Sequence, residues 1–195
     1  MDDRVGDEIQ RRTMLQMALG VAAGGGALAG AAAMAATAGM RAAPAATGKP
    51  GDFEFLAGEW RIQHQRLKDG QWDRFEGEAT VHSILGGVGS VEELRIPARQ
   101  FSGMGLRLLD VERKLWADHW VNARSGVLTP PPSWGSFVDG VGIWDSVDEE
   151  AAGGPVIWRG VWDRITDDAC RWYQASSSDA GRTWTETWIM AWTRA

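Results

Sequence analysis

From Phe55 to the C-terminus, apolar and polar positions alternate with a period of two, in short runs separated by turn residues. Residues 56–67 form the first run, closed by Lys68-Asp69-Gly70, and residues 72–85 form a long second run that ends at Gly86-Gly87. The runs 90–96, stopped by Pro97, and 102–109 follow, and residues 110–114 turn the chain into 115–123. A short piece, 126–129, leads into Pro130-Pro131-Pro132. The runs 136–144, 156–165, 170–176 and 184–194 complete the set, with the acidic, Gly-rich stretch 145–155 as an exposed loop. About ten short strands, with no convincing helical pattern, predict an all-β body of barrel or sandwich type.

The last run needs arbitration. Trp184, Trp188 and Trp192 recur every four residues, which suits one face of a helix or of a strand. The intervening Thr183, Thr185, Thr187, Ile189 and Thr193 are β-branched and fit a pleated surface better than a helix, so the run is expected to be a strand. Gly77, Gly103, Gly105, Gly140, Gly142 and Gly160 interrupt strand patterns, where glycine marks the bends and bulges that a small barrel needs to close.

Ahead of this body the pattern is of another kind. Arg11-Arg12 is followed by an uncharged, Ala- and Gly-dominated stretch from 13 to 40. That order reads as an export leader over residues 1–43, and the arginine pair with Leu15 resembles a twin-arginine signal, which implies passage through the twin-arginine machinery and a periplasmic or extracellular destination. A transmembrane anchor is the weaker reading, because insertion into lipid favours Leu, Ile, Phe and Val over Ala and Gly, so no stable anchor is expected after cleavage. Residues 44–55 read as an irregular linker, and residues 56–195 as one domain. All twelve tryptophans lie at or beyond residue 60.

The net charge of −6 leaves no basic stripe for nucleic acid. The single cysteine, Cys170, excludes an internal disulfide or a Cys-based metal site and is expected to be a small buried apolar residue. No nucleophile elbow, phosphate loop or dinucleotide-binding glycine pattern is present.

Two local motifs narrow the architecture. Ser177-Ser178-Asp179-Ala180-Gly181-Arg182-Thr183-Trp184 resembles the Asp-box hairpin, a structural turn in which Asp179 accepts backbone N–H groups, Gly181 supplies a positive φ and Trp184 packs beneath the loop. Gly58-Glu59-Trp60 opens the first run and Arg194 ends the last. This pairing resembles the calycin signature, in which the tryptophan of a Gly-x-Trp packs against a basic side chain of the final strand and closes one barrel end. Together with 55–60, 106–110, 116–120, 135–142 and 184–194, these motifs make the body resemble a bacterial domain-of-unknown-function family of lipocalin-like proteins. The resemblance implies an antiparallel closed β-barrel of about 8–10 strands and no particular reaction.

Candidate ligand contacts follow from alternation. With Trp60 pointing inward, Ile62 and His64 point inward too. His64 and His119 are the candidates for acid–base work or haem ligation, against the alternative of hydrogen-bonded core or solvent-facing histidines. No cofactor is required by the sequence. The three histidines are far apart and no metal-binding spacing joins them. Trp116 with Trp120, and Trp158 with Trp162, are candidates for stacking on a planar ligand, or for core packing. Arg95 and Arg107, within apolar runs, are candidates to clamp an anion, or to pair with a neighbour such as Glu93. The turn 130–135 with Trp134 is a possible barrel-mouth lid. The expected partner is a small apolar or aromatic molecule held inside the barrel. An enzyme or haem protein of the same fold, and a structural or protein-binding module, are the alternatives.

Overall fold

In a computed structural model, residues 43–128 and 131–195 are described. The leader expected over 1–43 therefore lies, but for its last residue, outside the described residues. Ten antiparallel strands close into a barrel: β1 (Gly58–Lys68), β2 (Gln71–Ile84), β3 (Gly89–Ile96), β4 (Phe101–Asp110), β5 (Leu115–Asn122), β6 (Ser133–Val138), β7 (Val141–Asp148), β8 (Val156–Asp163), β9 (Ala169–Ser177) and β10 (Thr185–Arg194). Each strand pairs with its sequence neighbours, and β1 closes the ring by pairing with β10. Among the described residues the helical content is three short 3-10 turns, at Glu54–Leu56, Leu85–Gly87 and Pro97–Arg99.

The ladder that closes the ring runs from Trp60–Arg194 to Arg66–Trp188, and Trp60 and Arg194 anchor one end of it. Trp60 pairs with Arg194 across the β1–β10 seam. The Arg194 guanidinium lies 4.2 Å from the Trp60 ring centroid. It also donates to the carbonyls of Ala57, Phe55 (2.8 Å) and Asp167 (3.0 Å). The Trp60 indole N–H reaches the Leu56 carbonyl at 2.7 Å. The guanidinium fork thus ties the approach to β1 and the β8–β9 turn to the end of β10.

Where the strands differ from the sequence expectation, turn chemistry explains it. The expected run 136–144 is two strands, β6 and β7, joined by Asp139-Gly140, both with positive φ (50° and 78°). Such a two-residue turn matches the strand twist and reverses the chain at once. β7 then runs on to Asp148, into the stretch expected to be loop. Of the piece expected over 126–129, the described residues 126–128 form no strand; Leu128 makes an isolated bridge to Val121. Trp134 stands within β6 rather than in a loop, under the Arg113 guanidinium at 4.0 Å.

The stretch 44–55, which carries no strand, seals the end of the barrel marked by Trp60 and Arg194. Gly48 and Gly51 bond to the backbone of Lys114 and Gly87, and Ser136 donates to the Ala45 carbonyl. Phe53, fully buried, inserts between Trp116, Phe137, Trp144 and Trp162, with ring centroids 4.9–6.4 Å apart. Aromatic pairs in such edge-on arrangements add about 0.5–1.5 kcal/mol each beyond their burial. One end of the barrel is thereby solid, which decides where any hollow must lie.

Candidate functional site

A cavity of about 250 Å³ occupies the barrel interior beyond this plug. Alternation puts the even-numbered residues of β8, β9 and β10 inward, and their indoles build its wall: Trp158 and Trp162, Trp172, and Trp188 and Trp192. Trp144 and Trp120 add two more, from β7 and β5. Leu94 and Met190 supply apolar surface, and Gly160 leaves open space between Trp158 and Trp162. Ser133, Ser146, Gln174, His119, Pro131 and Arg66 complete the lining. Cross-strand pairing between β5 and β6 spans only Trp116–Asp118 against Ser133–Gly135. His119, Trp120, Pro131 and Ser133 flank the place where that seam parts.

The floor carries charge. Arg107 and Glu92 are both buried, and their side chains meet at 2.6 Å. Their positions follow from register: Glu92 pairs with Gly105, two residues before Arg107 on the same face of β4. Gly105 has no side chain, and the space it leaves is taken by the two charged heads; a Cβ there would stand 3.2 Å from an Arg107 nitrogen and 3.4 Å from a Glu92 oxygen. Asp118, the cross-strand partner of Arg107 on β5, brings an oxygen to 3.7 Å from Arg107 Nε. Phe53 and Trp162 place their rings 5.1 Å and 5.3 Å from the guanidinium carbon. Burial works against the charge of Arg107, but Glu92 and Asp118 outweigh it and raise its pKa. Burial also pushes the Asp118 carboxyl up to about 6, with Arg107 opposing and Glu92 reinforcing the rise. Cys170, buried near the floor, is pushed up to about 12 by desolvation and then by Glu92, so it stays a thiol.

Several polar groups around the cavity are buried without a hydrogen-bond partner. Arg107 Nε and one of its terminal nitrogens are buried without an acceptor. So are the indole N–H groups of Trp120, Trp158 and Trp192. Leaving such donors unpaired costs about 1–3 kcal/mol each, more when charged. These buried donors are not satisfied by the residues around them.

Of the sequence candidates, Trp120, Trp158, Trp162 and Arg107 line the cavity. Trp116 does not: it belongs to the plug, where its N–H reaches Asp52 at 3.1 Å. Arg95 does not either. It alternates to the outer face of β3 and pairs with Glu78 and Glu93, both at 2.9 Å, because the odd positions of β3 face away from Leu94 and Glu92. His64 points inward as alternation requires, but it is packed rather than presented. Its ring stacks on Phe75 at 4.8 Å, and its Nδ1 accepts the Trp188 N–H at 3.1 Å. Nε2 faces Gly77, where a Cβ would lie 2.5 Å away. Desolvation lowers its pKa to about 4. That setting does not fit a haem or metal ligand, since neither ring nitrogen opens on the cavity. His119 lines the cavity, with its Nδ1 buried and unpartnered. His82 is exposed. Among the described residues, no three His, Cys, Asp or Glu side chains gather as a metal site would require.

Glu92 and Asp118 are the charged cavity-lining residues that sequence reasoning missed. The signal was present: Glu92 is in phase with Leu94 and Ile96, and Asp118 is in phase with Trp116 and Trp120. A carboxylate on the apolar phase of a strand needs a partner inside.

The Asp-box turn stands well away from the floor, between β9 and β10. Asp179 accepts from the backbone N–H groups of Arg182 (3.0 Å) and Thr183 (2.9 Å) and from the hydroxyls of Ser177 (2.7 Å) and Thr183 (2.6 Å). Those bonds hold its carboxyl well below the usual range. Gly181 has φ +85°, and Trp184 donates to the Gly181 carbonyl at 3.0 Å. The role is that of a turn.

No family model and no curated protein matches the chain. Among solved structures it is similar to a protein of unknown function from the DUF3598 family of Nostoc punctiforme, at 15% identity and a TM-score of 0.41, over 78% of this chain and 52% of that one. The chain spans about half the length of that structure.

Proposed function

We propose that this barrel is a binding protein for a small planar molecule, which lies between the indoles of the interior cavity. The observation that carries the reading is the cavity itself. Seven of the twelve tryptophans border a hollow of about 250 Å³ that the Phe53 plug closes at one end. Pockets of this kind, apolar and aromatic with a few placed polar groups, are the usual form of small-molecule sites.

Titration with N-phenyl-1-naphthylamine, a neutral aromatic probe, tests this reading through energy transfer from tryptophan. One probe per chain is expected. In Gly160→Phe the new ring starts from an uncrowded Cβ, 3.4 Å from Trp172 Nε1, and fills the cavity. Probe affinity in that variant should fall at least about tenfold, a loss of about 1.4 kcal/mol, while the thermal unfolding midpoint is kept. Binding that survives the plug, or no binding to the parent chain, rejects the reading.

Residues 1–43 are proposed as the export leader of this binding protein. The Arg11-Arg12 pair supports it. Changing both to Lys in the full chain should hold the protein in the cytoplasmic fraction, and undiminished export would reject the assignment.

A further inference from the structure

We propose that the cavity selects planar aromatic acids: the carboxylate takes the unpaired N–H groups of Arg107, and Asp118 shares a proton with it. This deepens the reading above and rests on it, because it names the class of molecule held in the same hollow.

The argument begins with unmet donors. Arg107 is nine-tenths buried, lines the cavity and keeps two N–H-bearing nitrogens without an acceptor. Trp120, Trp158 and Trp192, which also line the cavity, bury three further indole N–H groups without a partner. Hydrogen bonds to a charged partner are about twice as strong as neutral ones, and a guanidinium matches a carboxylate in shape. A ligand that ends in oxygens answers this demand, and a ligand that ends in an ammonium adds to it. The flat indoles accept the aromatic body.

Charge balance then fixes the proton. The charged side chains facing the cavity are Arg66 from β1, Glu92 from β3, Arg107 from β4 and Asp118 from β5. Cys170 from β9 stays neutral, and His119 is the remaining titratable neighbour. Glu92, with 4% of its side chain exposed, is committed to Arg107. Asp118 keeps 29% of its side chain accessible, stands off at 3.7 Å and makes no hydrogen bond with the guanidinium. It is the group that can yield. An incoming carboxylate beside an ionised Asp118 would put three anions around one buried cation. Taking up one proton at Asp118 removes that repulsion and turns the Asp118 hydroxyl into a further donor to the ligand. Nothing is oxidised or reduced; one proton moves from solvent to the Asp118–ligand carboxyl pair.

The test uses 2-naphthoate, 2-naphthylmethylammonium and naphthalene, titrated against the parent chain at about pH 5 and about pH 8 by tryptophan quenching. The naphthoate carboxyl titrates near the ordinary carboxyl range of about 4 and is mostly ionised from about pH 5 upward, so a loss of affinity above about pH 6 belongs to the protein. Naphthoate is expected to bind at least about tenfold more tightly than the other two at the lower pH. Its affinity should weaken as pH rises above about 6, by up to about tenfold per pH unit, as uptake of one proton requires. Asp118→Asn keeps the Arg107–Glu92 pair and should flatten that slope. Equal affinity for naphthalene, preference for the ammonium, or a flat pH response in the parent chain each overturns the inference. If naphthalene and N-phenyl-1-naphthylamine still bind, only this inference falls; if no aromatic probe binds, the proposed function falls with it.

Discussion

His64 and Asp118 lie on the same inner surface, and desolvation moves them in opposite directions, from 6.5 to about 4 and from 3.8 to about 6. For His64 the folded pKa lies below the unfolded one. Its neutral form belongs to the fold, so stability is full above about 6.5 and is lost as pH falls toward about 4. For Asp118 the folded pKa lies above the unfolded one. It therefore burdens the fold at neutral pH and releases that burden as pH falls from about 6 to about 4. Each effect is on the order of 3 kcal/mol across its window, and the two oppose each other. Single variants should expose them. Stability of His64→Gln, measured by urea unfolding between about pH 4 and pH 7, should rise relative to the parent as pH falls. Stability of Asp118→Asn should fall relative to the parent over the same range. Parallel curves for all three proteins would show that neither group carries the stated shift. The residue scale also explains why Arg107 was legible as a site candidate and its partners were not. Arginine in an apolar run draws notice by itself, whereas Glu92 and Asp118 gain meaning only when three strands are laid side by side.

At the scale of the element, glycines decide how closely neighbouring strands and rings approach. Gly135 on β6 has the Ile143 carbonyl oxygen 2.0 Å from where a Cβ would be, with the Trp144 ring at 2.7 Å. Gly103 on β4 lies under the Trp120 ring, at 2.3 Å from the same construction. Gly160, by contrast, meets nothing closer than 3.4 Å. Gly135→Ala must displace backbone and should cost about 1–3 kcal/mol or more. Gly160→Ala should be neutral or slightly stabilising, since alanine loses less chain entropy than glycine in a strand. Thermal melts of the two variants decide it, and equal melting points would contradict the packing described. The sequence marks Gly103 and Gly160 alike as interruptions of a strand pattern. It does not say which glycine carries a ring over it and which opens onto a hollow, because the overlying ring comes from another strand.

For the whole molecule, the seam between β1 and β10 governs stability, since a barrel is closed only if its first and last strands hold. Arg194→Met leaves the carbonyls of Phe55, Ala57 and Asp167 without the donors they now have and removes the cation from Trp60. A loss of about 1–3 kcal/mol is expected. Amide exchange should quicken first in residues 53–60 and 190–194. Unchanged exchange there would separate closure from this contact. Much of the architecture was determined by the sequence alone. Period-two alternation assigns each side chain to one face of its strand, turn residues set the strand ends, and Gly58, Trp60 and Arg194 state where the ring joins. The Asp-box turn was equally local, because Asp179 and its partners lie within a few residues of one another. The tertiary structure decided everything that depends on which inward groups meet. It placed Phe53 and Trp116 in a plug, turned Arg95 outward, buried His64 against Phe75, and gathered Glu92, Arg107 and Asp118 at the floor of a cavity. The physical reason is that alternation carries one bit per residue, inward or outward. Contact across a barrel depends on register, strand tilt and the volume of every other side chain inside.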